Sequence, residues 1–170
     1  MAAAVAQVTL TSAAVAEPWA KVGPWTVISL SNATGCTMGL KYSSGAVLVV
    51  SAKYSVAGDQ AWEMLAADQV WQAIEKDKSY PISIHFVGSD QAAQRRELYS
   101  YKASRINGLV ARFSDFSEFY SFVSNGLATG THVAFAFDGR LMGTFALPGA
   151  APAFDEFLKC YAEFVSRAES

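Results

Sequence analysis

Hydrophobic and polar positions along this chain switch between two periods, and the switches divide it into strands and helices. Pro24–Leu30 is β-rich, Asn32–Gly35 is a turn signal, Cys36–Tyr42 alternates loosely, Ser43–Gly45 turns again, and Ala46–Tyr54 carries Val47, Val49 and Val50. Three strands joined by turns this short can only be antiparallel neighbours, an opening meander. Residues 60–78 fit neither period well, and the reading taken is a strand to about Ala66 followed by a short helical turn over Asp68–Glu75. Tyr80–Val87 places Ile82, Ile84 and Phe86 on one face, with Pro81 suited to a strand start or an edge. Gly88–Arg96 is polar and reads as a loop.

The second half alternates the same signals. Glu97–Ser104 and Leu109–Phe113 are expected to form a hairpin around Asn107-Gly108. Asp115, with Glu118 three residues on, predicts a capping box, and Phe116, Phe119, Tyr120 and Val123 follow at helical spacing until Asn125-Gly126. That gives a short helix over about 115–124. Thr131–Phe137, Asp138-Gly139 and Arg140–Leu147 form the clearest hairpin. Pro148-Gly149 breaks the strand, and Phe154, Phe157, Leu158, Tyr161 and Val165 then mark a long helix over about 151–167. The expected class is α+β: an antiparallel sheet, or a β-sandwich, with helices packed against it.

Length and composition fit one domain. The chain has 170 residues, 52% of them hydrophobic and 22 aromatic, which is ample for one core. A net charge of −2 shows no basic footprint for nucleic acid. No apolar run reaches the roughly 18 residues of a membrane-spanning helix. Residues 1–16 differ from the rest: seven alanines, no charged side chain, and a close on Ala14-Val15-Ala16 before Glu17-Pro18. Small residues before a break resemble a signal-peptidase site, although the basic leader is missing. Residues 1–16 are therefore read as a signal-peptide remnant and residues 17–170 as one globular domain.

Two cysteines, Cys36 and Cys160, are expected to pair in an exported chain, with two buried thiols in a cytoplasmic protein as the alternative. Cys160 falls about 80–100° from the centre of its helix's apolar stripe, a margin from which a side chain reaches a neighbouring strand.

Several short stretches carry a resemblance: Trp25-Thr26-Val27 with Gly35-Cys36-Thr37-Met38, then Lys78-Ser79-Tyr80-Pro81-Ile82, and finally Phe145–Ala150 with Ala153-Phe154 and Leu158-Lys159-Cys160. The pattern is similar to small exported proteins of Gram-negative bacteria, and its opening Trp-strand-Cys and closing strand-Gly-helix distantly resemble the invasion-associated locus B family of periplasmic proteins. Cys160 in the last helix departs from that family's usual pattern. The resemblance implies a β-rich periplasmic domain with a strand-to-helix disulfide, and it brings no catalytic residues to transfer.

Chemistry is sparse. His85 and His132 each sit in a strand with no clustered carboxylate, so neither a catalytic set nor a metal site is assigned, and no cofactor is expected. Nucleophile elbows and phosphate loops are missing. Cys36 with either histidine would imitate a Cys–His pair only if its thiol were free. One stretch stands out: Arg95, Arg96, Lys102, Arg105 and Arg112, with Tyr99 and Tyr101 between them, form a candidate patch for an anion, a polysaccharide or a membrane surface. The plainer reading is a solvated hairpin guarding a strand edge. Trp62 and Trp71 similarly suggest either ordinary core or a sheet–helix cavity for an apolar ligand. The functional expectation is a non-enzymatic periplasmic or secreted domain binding an unknown protein or small molecule. The alternatives are a carrier of a small apolar ligand, a hydrolase-type enzyme, and a cytoplasmic location.

Overall fold

Ten strands pair edge to edge in one antiparallel sheet, in the order β1-β2-β3-β4-β5-β8-β7-β6-β9-β10. The computed structural model describes residues 17–30, 35–54, 60–103 and 106–168. The strands are β1 (Glu17–Val22), β2 (Trp25–Leu30), β3 (Gly35–Lys41), β4 (Val47–Tyr54), β5 (Gln60–Asp68), β6 (Ser79–Val87), β7 (Gln94–Ala103), β8 (Ile106–Phe113), β9 (His132–Phe137) and β10 (Arg140–Ala146). The described residues also form two helices, α1 (Phe116–Thr129) and α2 (Ala150–Ala168). The α+β class and both helices agree with the pattern read from sequence. Of the two architectures expected, a single sheet forms rather than a sandwich. The division at residue 16 lies outside the described residues.

The sheet curls until its far strands meet. β2 and β10 stand eight positions apart in the strand order, which in a flat sheet would separate them by roughly 38 Å at about 4.8 Å per strand. Yet the Trp25 indole donates to the carbonyl of Pro148, just past β10, at 2.8 Å. The Tyr42 hydroxyl donates to Ala146 O at 2.6 Å, and the Trp71 indole to Met142 O at 3.1 Å. Met142 lies at a break in the β9–β10 register, between Leu141 and Gly143. Side-chain donors thus bridge the gap that a backbone ladder would close in a barrel. Burial pushes the Tyr42 hydroxyl far above its ordinary pKa, so it stays a donor.

The core fills the inside of this curl. At one end Trp71, Phe135, Phe145 and Tyr42 meet edge to face. At the other end α1 and α2 wedge in, with Phe119 against Phe113, Phe154 and Phe157, and Trp62 against Phe116. Trp62, Trp71 and Phe154, near which a sheet–helix cavity was expected, take part in these ring contacts. Cys36 on β3 and Cys160 on α2, both buried, are joined in a disulfide across 124 residues of sequence.

Several local expectations are corrected. Instead of the helical turn expected over Asp68–Glu75, Asp68 ends β5 and short turns follow it, because Trp71 is drawn into the core and its carbonyl is held by the Asn107 side-chain amide at 3.0 Å. That amide shows why Asn107-Gly108 is no turn: both residues lie inside β8, paired with Lys102 and Tyr101. Gly108 permits close strand approach, since a Cβ there would stand 2.7 Å from that of Ala67. β7 begins at Gln94, which shortens the loop expected over 88–96. Of the two places expected for Pro81, it takes the strand start and not a sheet edge: it lies near the beginning of β6 and pairs with Glu97 of β7, and the pairing with β9 starts only at Ile82. β1 was missed, its six residues being masked by the break read at Glu17-Pro18.

The α1 boundaries show the same competition between local signal and packing. Its start is as expected: the Asp115 carboxylate accepts from Glu118 N–H at 2.8 Å. Its end is not, because Asn125-Gly126 continues the helix for another turn. Gly126 is there for space: a Cβ would lie 2.3 Å from the Phe86 ring. A glycine that reads as a stop signal in sequence is here a contact point between helix and sheet.

Candidate functional site

The face of the sheet away from the helices carries a trough whose composition follows from strand register. Residues directly opposite in neighbouring strands share a face. Three rows result. One runs Ile28, Thr37, Ser51, Glu63, Arg112; the middle row runs Thr26, Gly39, Val49, Leu65, Val110, Tyr99; the third runs Lys41, Val47, Ala67, Gly108, Tyr101. Small residues at the centre (Gly39, Ser51, Ala67, Gly108) and large ones at the ends give the rows depth. One compartment, of about 500 Å³, reaches from Leu30 and Lys53 to Tyr101 and Ile106. A second, of about 360 Å³, adjoins it through Thr37, Val47 and Val49 and extends to Pro24. Both fall in the usual size range for ligand pockets.

Among the described residues no helix covers this face, yet Ser51, Ala67 and Val110 are only 5%, 1% and 7% exposed. Ser51 is satisfied by Thr37, whose hydroxyl lies 3.1 Å from its own and 3.1 Å from Val50 O. The floor is therefore apolar with its polar groups paired.

Charge collects at the ends. The Glu63 carboxylate sits between Lys53 Nζ and Arg112 Nε, each at 3.1 Å. Glu63 is 17% exposed, whereas Lys53 and Arg112 are 44% and 62% exposed. The Arg112 guanidinium also lies over the Tyr99 ring, 5.2 Å from its centroid. Lys41 lines the second compartment, at the opposite end of β3. Among the described residues three cations against one carboxylate make the lining +2, on a chain of net charge −2.

The basic patch singled out in sequence is divided by the pleat. Tyr99 and Tyr101 face the trough side, and Arg112 joins them there. Arg95 has the same parity but lines a separate recess with Pro81, Ser83 and Asp138. Arg96 has the other parity and points to the helices: it pairs with Glu118 at 2.9 Å and lies over Phe113 and Phe122. The Ser114 backbone N–H first, and then the Ser114 hydroxyl and Arg96, hold the Glu118 carboxyl below its usual range. Lys102 is exposed on the strand parity of Arg96, and Arg105 lies outside the described residues. Reading along the chain had missed Lys53, Glu63 and the β4–β5 floor. Their signal was the unbroken run Val47-Leu48-Val49-Val50, the mark of a strand shielded on both faces.

The two histidines are closer than their sequence positions suggest. Val87 pairs with His132 and His85 with Ala134, so the imidazoles are diagonal neighbours on the helix-free side of β6 and β9. Both are exposed, and His132 Nδ1 lies 3.1 Å from the Thr131 hydroxyl. Among the described residues no group of three or more His, Cys, Asp or Glu is placed to hold a metal ion. Cys36 is committed to its disulfide, so no thiolate is available to either histidine. Among the described residues, no helix is long and apolar enough to cross a membrane. Compared with models of protein families, with curated proteins and with solved structures, the chain matches none.

Proposed function

We propose that this protein is a non-enzymatic binding domain of the bacterial periplasm or exterior, and that it holds a small molecule in the trough on the helix-free face of its sheet. The observation that carries the reading is the near-complete shielding of Ser51, Ala67 and Val110 on a face that no helix among the described residues covers. A flat solvated sheet face would leave such residues open to water. The disulfide supports an oxidising compartment, where such bonds persist.

Native mass spectrometry of protein purified from a bacterial periplasm and incubated with an envelope lipid extract tests the reading. The wild type is expected to carry a small-molecule mass. Gly39→Leu, which fills the middle row from a position where a Cβ meets only ordinary contacts (3.6 Å to Val49), is expected to lose it. A wild type that carries nothing, or a variant that keeps the same mass, refutes the reading.

A further inference from the structure

We infer that the ligand is a single-chain amphipathic carboxylate, a fatty acid, lying with its chain on the apolar rows and its head among Lys53, Arg112 and Tyr99; this rests on the trough being the binding site. The argument is charge complementarity on an apolar floor. Among the described residues Glu63 is the only carboxylate that lines either compartment, and both of its neighbours already occupy it. Lysine and arginine bring three and five N–H donors, so each cation retains donors after that pairing. They are also the exposed members of the cluster. An incoming anion meets donors and net positive charge there; an incoming cation meets a carboxylate already engaged on two sides.

The floor sets the rest of the molecule. From Lys53 the trough follows β4 to Val47, six residues or roughly 20 Å of extended strand. Leu65, Val49 and Val110 lie between, with no charged residue among them. A short polar anion would leave this surface uncovered. One extended acyl chain covers it from above, one side of the chain against the floor and the other toward water.

Titration calorimetry with dodecanoate, octanoate and dodecyltrimethylammonium, each kept below its micellar concentration, reads the proposal out. A fully covered methylene is worth about a fourfold change in affinity, and one covered on a single side about twofold. Octanoate should therefore bind about 16-fold more weakly than dodecanoate. The ammonium, with the same chain length, should bind at least about tenfold more weakly, since each charge at contact distance in water is worth about fivefold. Glu63→Gln should tighten dodecanoate by about fivefold. Lys53→Gln with Arg112→Gln should weaken it by more than about tenfold and erase the preference over the ammonium. Because Glu63→Gln acts in the opposite direction, misfolding of a variant cannot imitate the pattern.

An ammonium probe that binds as tightly as dodecanoate, and is displaced by Gly39→Leu, would overturn the carboxylate while keeping the trough. Binding of more than one dodecanoate per chain with no response to Glu63→Gln would overturn it as detergent association. Binding of none of the three probes would also overturn it, leaving the trough itself to the mass-spectrometric experiment.

Discussion

Removing the Cys36–Cys160 bridge tests how far the fold depends on one covalent link. The bond closes a loop of 124 residues between β3 and α2. In the chain-entropy model a loop of that size restricts the unfolded ensemble by about 5 kcal/mol at 25 °C. That is comparable with the entire stability of many domains, about 5–15 kcal/mol. The perturbation is the double variant Cys36→Ala/Cys160→Ala, which leaves no free thiol. The assay is equilibrium urea unfolding followed by tryptophan fluorescence, since Trp25, Trp62 and Trp71 are all buried and report loss of the core. With a urea slope of about 2 kcal/mol per molar, the midpoint should fall by about 2.5 M. Wild type in reducing agent should show the same shift. A midpoint that moves by less than about 0.5 M would refute the reasoning, because non-covalent packing of α2 would then suffice.

Two further outcomes probe separate features. Gly126→Ala forces a methyl into the Phe86 ring and should cost about 1–3 kcal/mol, read as a lowered urea midpoint with intact secondary structure; an unchanged midpoint would mean that α1 can slide on the sheet. Tyr42 makes stability depend on alkaline pH. Its folded pKa is raised by burial, so its contribution is complete below about pH 10 and is lost as pH rises and the unfolded chain ionises first. Wild type should therefore lose up to about 1.4 kcal/mol per pH unit above pH 10 relative to Tyr42→Phe, and parallel profiles would show that the hydroxyl is not held in the Ala146 contact.

What could be read along the chain was whatever local chemistry decides. The β9–β10 turn is one case: Asp138 and Gly139 both adopt positive φ, 49° and 71°, as an Asp-Gly hairpin pair requires. The Asp115 cap and the apolar stripe of α2 are others. The misreadings share a cause, a residue whose local preference was overridden by a distant partner. Gly126 serves Phe86, Asn107 serves Trp71, and Trp71 itself leaves its segment to bond Met142. The site was hardest to see, because it is a row and not a run. Thr26, Gly39, Val49, Leu65 and Val110 come from five strands, and only the register puts them side by side. The candidate patch at 95–112 is a run and not a row: adjacent residues in a strand face opposite sides, so Arg95 and Arg96 belong to different environments.

An open sheet normally ends in two rows of unpaired backbone groups, each a template on which a second copy can add a strand. Here neither end offers a clean template. The outer strand β10 has its carbonyls at Met142 and Ala146 already taken, by Trp71 and Tyr42 of the same chain. The other outer strand, β1, carries an exposed proline at Pro18, a register break between Pro18 and Ala20, and the exposed cation Lys21. Pairing between copies would have to break the contacts that close the curl on one side or straighten a kinked strand on the other. The aromatic donors that complete each molecule therefore also occupy carbonyls on which a second copy would pair.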